Sequence, residues 1–453
     1  MTLSDSTATP RVVVAGVGLI TPLGQSAWET FAALLQGKRL TDRVDRLEPG
    51  TDPVPLVQAL GGVSIARHTP TDPSVELAER AVREACTEAQ LPLGGVQTWL
   101  GTSKGAVAAM SDLQGQRSPT GEKQLPTRLL EAVALGPHGY LSHHLAARTG
   151  VEVRRHTVAA CASSLTALHQ ARMALLHPRP TTQAPAPHSR FALVVTAEAA
   201  LLPAFIHSYR RLGVLAPLTL DGYRQAPLDE SRQGFTLSEV GAAVLLQRLD
   251  PGEAPPHGTK SIELLDTAIA TEASDLIRPS SSMEALGVVA QQLLGDPRKP
   301  TQSHRRIAAL HPHAPGTADH DPTELRVLAD VLNQRQHPFH EAPANTIPAV
   351  YANKGALGHS LGSAGLVSFV LACLAARTGK LPPMPWLKTP MRNAPIPLTS
   401  TPTLKATCGG TSGGSSGGVS GGVSGGVSGG AHAIFAAGFG GHVAGALIQR
   451  CCD

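Results

Sequence analysis

The chain has 453 residues, 42% apolar and 16% charged, so it can bury a large core and is excluded from the wholly disordered class. Its formal charge of +4 is scattered and aromatics make up only 3%, so the clustered basic residues and stacking rings of a nucleic-acid binder are missing. Six cysteines without a CxxC pair fit reduced thiols in a cytoplasm, and neither a secretory leader nor a membrane-spanning run is expected.

The opening RVVVAGVGLITPLG predicts a buried strand over Val12–Ala15 and then a Gly-rich turn, with SAWETFAALLQGKR as a helix capped by Ser26. VELAERAVREACTEA predicts a helix, VQTWLGTS a strand entering a loop, and VEVRRHTV another strand. The segment from Cys161 predicts a helix with Leu165, Leu168, Met173 and Leu176 on one face, ended by Pro178, and FALVVTAEA returns to a strand. A turn-rich stretch from Asp250 to Ser261 separates an N-terminal half, 1–250, from a C-terminal half, 260–453. Beyond it SIELLDTAIA and RRIAALHPH predict strands, PTELRVLADVLNQ a helix, NTIPAVYANKG a strand, and LGHSLGSAGLVSFVLACLAART a helix. The Gly/Ser-rich tract 409–430 has no side chains to bury and reads as a low-complexity loop inserted in the C-terminal half, ahead of the β-rich AHAIFAAGFGGHVAGALIQR. Strands alternating with helices in two similar halves give an α/β class and one pseudo-duplicated fold.

Chemistry first suggests itself in VAACASSLTALHQARMALL, where Cys161 stands at the first turn of its helix. Unpaired N–H groups and the positive end of the helix dipole favour a reactive thiolate there. A lone cysteine in an Ala-rich run is more commonly a small buried plug, and position leaves both readings open. Three other segments bear on the choice. HPHAPGTADHDPTE puts His313 at a strand end with Asp321 and Glu324 following, NKGALGHSLGSAG puts Lys354 and His359 at a helix entrance, and AAGFGGHVAG makes a Gly-rich turn around Phe439. The adjacent His143 and His144 read as structural or surface residues.

With PLDESRQGFTLSEVGAAVLL, which carries Asp229, Arg232, Gly234, Phe235 and Glu239, these motifs stand in an order that resembles the β-ketoacyl-acyl carrier protein synthases of the elongating type. That family lies within the thiolase-like condensing enzymes, and the resemblance runs along nearly the whole chain. It implies a five-layered αβαβα sandwich, a homodimer or a heterodimer with a related chain, and no metal or other cofactor. Substrates would arrive on the phosphopantetheine arm of an acyl carrier protein, in fatty-acid-like or polyketide-type biosynthesis.

The resemblance also implies roles. Cys161 would take the acyl chain as a thioester, with the backbone N–H groups of Cys161 and Phe439 as oxyanion hole. His313 and His359 would assist decarboxylation of a malonyl thioester and stabilise the enolate. Lys354 would orient the site through an ion pair with Glu324, and Asp321, Thr317 and Phe235 would support it. Two positions depart from the family pattern. Pro315 stands where a threonine usually binds the pantetheine arm, leaving Thr317, and Ala437 stands where a phenylalanine usually flanks the nucleophile.

Other readings compete. The same fold could transfer acyl groups without condensation or serve as a non-catalytic partner subunit, although such partners typically lack the cysteine. His311, His313, Asp319, His320 and Asp321 could suggest a metal-dependent hydrolase, but the spacing of HxHxDH sites is missing. A dinucleotide site at GVGLITPLG lacks GxGxxG and a ribose-binding acid.

Overall fold

Val12 to Ile20 are all buried, an apolar run with no polar face, and they form one central strand rather than a strand and a turn. In the computed structural model the described residues are 9–40, 44–45, 54–55, 71–111, 127–178, 188–219, 222–223, 225–273, 280–295, 305–334, 347–404 and 430–451. The N-terminal elements are β1 (Arg11–Ile20), α1 (Ala27–Leu35), β2 (Val44–Asp45), β3 (Val54–Pro55), α2 (Pro73–Glu88), β4 (Gln97–Gly101) and α3 (Ala108–Ser111). Next come α4 (Thr127–Thr149), β5 (Glu152–Thr157), α5 (Ser163–Leu176), β6 (Phe191–Glu198), α6 (Pro203–Arg211), β7 (Leu218–Thr219), β8 (Gly222–Tyr223) and β9 (Val240–Leu249). The C-terminal elements are β10 (Ile262–Thr271), α7 (Glu284–Leu294), β11 (Ile307–His311), α8 (His320–Gln334), β12 (Ala349–Val350), α9 (Lys354–Leu357), α10 (Ala364–Thr378), β13 (Ala431–Ala437) and β14 (His442–Arg450). The Gly/Ser-rich tract falls outside the described residues up to position 429, and β13 begins directly after Gly430.

Ten strands form one hydrogen-bonded sheet in the order β12-β11-β13-β14-β10-β1-β9-β6-β4-β5. Its halves meet where β1 pairs antiparallel with β10, Val13 opposite Glu263 and Val14 opposite Ile262. Helix α2 covers β1, β9 and β6 from outside, and α7, itself packed on α8, covers β14 and β10. Between the two sheet halves lie α5, against β4 and β6 on one side and β10 and β14 on the other, and α10, against β13, β14 and β9. The result is helix, sheet, helix, sheet, helix, the five layers expected.

Burial explains the composition of each layer. Helix α10 is covered on all sides, and every residue from Ala364 to Ala376 is buried. Leu361–Thr378, with mean hydropathy 1.6, is the one described segment long and apolar enough to cross a membrane; 89% of it is buried inside the protein, as suits this core helix. The glycines of GVGLIT, expected to make a turn, instead let α2 press against β1. A Cβ on Gly16 or Gly18 would lie 2.0 Å from the carbonyl oxygen of Ala85 or Ala81.

The inward face of α5 also differs from expectation. Leu165, Ala167, Leu168, Ala171 and Leu175 are buried, whereas Met173 and Leu176 are only partly covered. The predicted helix LGHSLGSAGLVSFVLACLAART is regular only from Ala364, as α10, after a 3-10 turn at Leu361–Ser363; Lys354 and Gly355, expected in a strand, belong to the short α9, and His359 stands between α9 and the 3-10 turn. That break is what frees His359 from a helix face.

Candidate active site

Three connections after strands or helices bring three side chains together. Cys161 follows β5 by a tight turn in which Ala160 has φ +45°. Ser163 braces that turn, its hydroxyl accepting the Ala159 N–H at 2.8 Å and donating to the Ala160 carbonyl at 2.6 Å. His313 follows β11 and precedes Ala314 at φ +34°, and His359 is two residues before Leu361 at φ +47°. Left-handed backbone at a non-glycine residue costs of order 1–3 kcal/mol, so the surroundings must hold each of these turns in place.

The result is a compact triangle. Donor atoms of Cys161, His313 and His359 all lie within 4.8 Å of one another, and all three residues are buried. The imidazoles of His313 and His359 stand 5.2 Å apart at 74°. Phe235 abuts His359 edge-on at 4.7 Å. A cavity of about 480 Å³ opens from the triangle, and Pro315, Thr317, Ala437 and Phe439 are among its walls.

Tautomer and charge follow from the hydrogen bonds. Nδ1 of His359 accepts the Leu361 N–H at 3.2 Å, so the ring proton of the neutral imidazole is on Nε2. Burial, and then the charge of Lys354, hold His313 and His359 well below the ordinary histidine value. Both rings are therefore neutral near pH 7.

Burial also pushes the Cys161 thiol up to about 12, against the pull of Lys354. Burial thus opposes the thiolate expected from the helix N-terminus. Burial brings Lys354 down to about 8, with Glu324 acting in the opposite direction.

Lys354 and Glu324 act on His313 differently from the expected ion pair. The ammonium of Lys354 donates to the His313 carbonyl oxygen. The Glu324 carboxylate accepts the N–H groups of His313 at 2.6 Å and Ala314 at 2.7 Å, and its Oε2 lies 3.4 Å from His320. The two charges clamp opposite sides of one stretch of backbone, which fixes the left-handed Ala314. Asp321 ties the same loop to the 226–229 segment by accepting the N–H groups of Gly316 at 3.0 Å and Leu228 at 2.9 Å.

Phe439 shares the cavity with Cys161, and its neighbour Gly438 brings the backbone close. A Cβ at Gly438 would lie 2.8 Å from the Cys161 nitrogen. Arg232 also reaches the cavity wall and donates to the Asp229 and Ala318 carbonyls. Asp229 itself works away from the cavity, accepting the N–H groups of Ser231, Lys388 and Thr389.

The metal-hydrolase residues do not assemble. His311 turns away from His313 and stacks on His432, with its Nε2 3.1 Å from His432 Nδ1. Among the described residues, the only set of three or more metal-capable donors in mutual reach is Cys161, His313 and His359. Within it, His359 already uses Nδ1 as an acceptor and carries its proton on Nε2, so it has no free lone pair for a metal.

Sequence reading missed Tyr209 on α6. It lines the cavity, stacks on Phe439 at 6.4 Å and meets Phe235 edge-on at 6.1 Å. Its surroundings in FIHSYRRLG carry no chemical motif; only the pair of aromatics, Phe205 and Tyr209, one turn apart on an amphipathic helix could have marked it.

A buried thiol beside two neutral imidazoles, on a five-layered sandwich of two joined halves, defines an acyl-transfer enzyme of the thiolase-like class. Residues 9–251 match the family described as "Beta-ketoacyl synthase, N-terminal domain" and residues 263–388 match "Beta-ketoacyl synthase, C-terminal domain". The chain belongs to the beta-ketoacyl synthase family.

Among curated relatives, the chain is 30% identical over 234 residues to the 6-methylsalicylic acid synthase of Penicillium terrestre, covering 51% of this chain and 12% of that protein. It is 24% identical over 400 residues to 3-oxoacyl-[acyl-carrier-protein] synthase 2 of Mycobacterium leprae, covering 83% of this chain and 86% of that one. Among solved structures, the AntDE:AntF complex, a type II polyketide-synthase acyl-carrier protein with its ketosynthase bound to the hexaketide, matches with a TM-score of 0.74 at 18% identity, covering 98% of this chain and 100% of that chain. The ishigamide ketosynthase/chain length factor matches at 0.71 and 19% identity, with the same coverage.

Proposed function

We propose that the chain is a condensing β-ketoacyl synthase that receives an acyl group on Cys161 from an acyl carrier protein and extends it with a malonyl thioester. The observation that carries this reading is the triangle of Cys161, His313 and His359 within 4.8 Å, buried at the base of a cavity.

In the first step the Cys161 sulfur attacks the acyl thioester carbonyl, and a neutral imidazole takes the thiol proton as the S–C bond forms. The carrier's C–S bond then breaks, and that proton leaves on the pantetheine thiol. The backbone N–H groups of Cys161 and Phe439 serve the oxyanion. In the second step the malonyl thioester loses CO2. His359, protonated on Nε2, and His313 receive the enolate oxygen; the enolate carbon bonds to the acyl carbonyl carbon as its C–S bond breaks, and Cys161 leaves as a thiolate that carries the charge of the lost carboxylate and regains a proton from solvent. Lys354, Glu324 and Asp321 position the His313 loop, Phe235 supports His359, and Thr317 is the hydroxyl left on the pantetheine side beside Pro315.

The same reading makes residues 1–250 and 260–453 two halves of one catalytic unit and leaves the 409–430 tract as an insertion. An acyl carrier protein is the proposed partner, a second copy or a related chain the proposed dimer mate, and a reducing cytoplasm the proposed location. The free thiols of Cys86, Cys161 and Cys373 support that location.

Intact-mass measurement after incubation with acyl and malonyl carrier proteins tests the proposal. The acyl adduct is expected on Cys161, followed by a β-keto product, with both lost in Cys161→Ala. Acylation with no CO2 release would select the acyltransferase reading; no adduct at all would remove the nucleophile assignment.

Ala437 ends β13 on the cavity wall near Cys161, where it leaves space a ring could fill. Ala437→Phe is expected to narrow the range of acyl primers transferred, read as competing adduct masses from a mixed pool. An unchanged distribution would show that the acyl chain lies elsewhere.

A further inference from the structure

The ring of His359 is held by the Leu361 N–H, but the ring of His313 has no such tie. Its Nδ1 is buried without a hydrogen-bond partner among the described residues. The clamp from Glu324 and Lys354 grips the backbone N–H and carbonyl of residue 313, and those bonds leave rotation about the side-chain torsions open. A group that takes a proton and then meets an enolate oxygen must nevertheless be held within about 0.5 Å of one placement. Packing has to supply what hydrogen bonding does not.

Two imidazoles supply that packing. His359 meets the His313 ring edge-on at 5.2 Å and 74°, and His320 meets it edge-on at 5.2 Å and 62°. Edge-to-face contact is a favoured geometry for flat rings, and turning either ring would bring edge onto edge. His320 opens α8, is only 8% exposed and lines the same cavity, yet no step of the proposed reaction uses it.

His320 is itself anchored. Its Nε2 is buried 3.4 Å from Oε2 of Glu324, one helical turn further along α8. The same carboxylate accepts the N–H groups of His313 and Ala314 at 2.6 and 2.7 Å. One side chain therefore fixes both the backbone that carries His313 and the ring that packs against it. A shift in either would move His313 relative to Cys161, whose sulfur lies within 4.8 Å of it.

We propose that His320 is a positioning residue for His313, holding that imidazole edge-on from its seat on Glu324. It acts through the His313 ring rather than on substrate. The inference rests on the reading of His313 as proton acceptor and enolate donor, and adds the residue that keeps it in place.

His320→Leu fills a similar volume but has no polar atom for Glu324 and no flat edge for His313. Because His313 serves both steps, the variant is expected to slow acylation of Cys161 and CO2 release from a malonyl carrier together, each about ten- to a hundredfold, with KM unchanged. His320→Gln, whose amide nitrogen can reach the place of Nε2, should recover most of both rates. In a His313→Ala background, adding His320→Leu should cost less than about twofold, since the partner is gone. Losses that multiply across the pair would show that His320 acts independently of His313, and a raised KM at unchanged kcat would make it a substrate contact; either overturns the proposal. If His320→Leu does not fold, His320→Ala enters the same cycle under the same criteria. Crystal structures read the effect without turnover: the His313 ring is expected in one rotamer in the unaltered chain and displaced or split with His320→Leu. A ring that stays single and unmoved refutes the positioning role whatever the rates. Failure of the unaltered chain to acquire an acyl group would instead count against Cys161 as nucleophile, and the crystal comparison would still decide the role of His320.

Discussion

His359→Ala is expected to slow condensation by about 10²- to 10³-fold while acylation of Cys161 is far less affected. The asymmetry comes from the ring's fixed tautomer. Leu361 N–H occupies Nδ1, so the neutral ring has one proton to offer, on Nε2. That donor matters most where charge accumulates on oxygen, as in the enolate formed when CO2 is lost, and matters less in sulfur attack, where His313 remains to accept a proton. Its environment reinforces the effect, because a buried donor facing charge is stronger than one in water. Release of CO2 from a malonyl carrier, compared with the acyl-enzyme mass, measures the two steps separately. His359→Gln, which can supply an N–H, should recover part of the lost rate. Equal loss of both steps would mean that His359 serves the nucleophile rather than the enolate.

The sequence made the layered order legible wherever an element was apolar through and through. β1 and β6 are almost continuous apolar runs because helices or strands cover both their faces, whereas β10 carries Glu263 and Asp266 and leaves Ile269 exposed. Among the helices that escaped the reading, three did so for identifiable reasons. α4 contains Pro137 and a backbone break at Gly136, φ +68°, so its sequence carries no uninterrupted helical pattern. α6 is short and ends in Arg210 and Arg211, and α7 starts from Met283 in the left-handed region without a capping side chain. β9 lay inside a stretch read for its motif, although Val240–Leu249 is almost wholly buried.

For the candidate site, the motifs carried the identities of Cys161, His313, His359 and Lys354, and the chain does bring them together. What the sequence could not carry was the wiring. A lysine and a glutamate at Lys354 and Glu324 suggest an ion pair, but each spends its charge on the backbone of the His313 loop, a choice made by the left-handed turn at Ala314. The thiol shows the same limit. A helix start is visible in sequence, whereas the burial that raises the Cys161 thiol depends on the Gly438 backbone and the surrounding chain closing over it. Tyr209 was invisible because nothing chemical in its own segment sets it apart; its meaning comes from partners far along the chain.

The buried pair His311 and His432 should make part of this chain's stability depend on pH, and His432→Asn should remove that part. The two rings are stacked 5.4 Å apart and share one hydrogen bond, with no carboxylate acting on either among the described residues. Burial holds His432 down at about 4 and His311 well below the usual histidine value, His432 adding to the shift at His311. In the unfolded chain both titrate near 6.5, so between pH 6.5 and 4 the unfolded state binds more protons and folding stability falls as pH falls. For His432 alone the loss by pH 4 is about 3 kcal/mol: 2.5 units of separation at about 1.4 kcal/mol each, less about 0.4 kcal/mol because the folded form is itself half protonated at that pH.

Glu198, raised to about 7, and Asp321, raised to about 6, act in the other direction, since their folded forms hold protons that the unfolded forms release. The whole-chain profile therefore mixes opposing contributions, and the histidine part is isolated by difference. Asparagine at 432 can still present a polar atom where Nδ1 meets His311, so the hydrogen bond has a substitute while the titration is gone. Denaturant unfolding at pH 7.5 and pH 4.5 is the measurement. The wild type should lose roughly 2 to 3 kcal/mol more than His432→Asn across that interval. Equal losses would mean that His432 is protonated in the folded chain, with the pair accommodating a charge that its buried, carboxylate-free surroundings ought to reject.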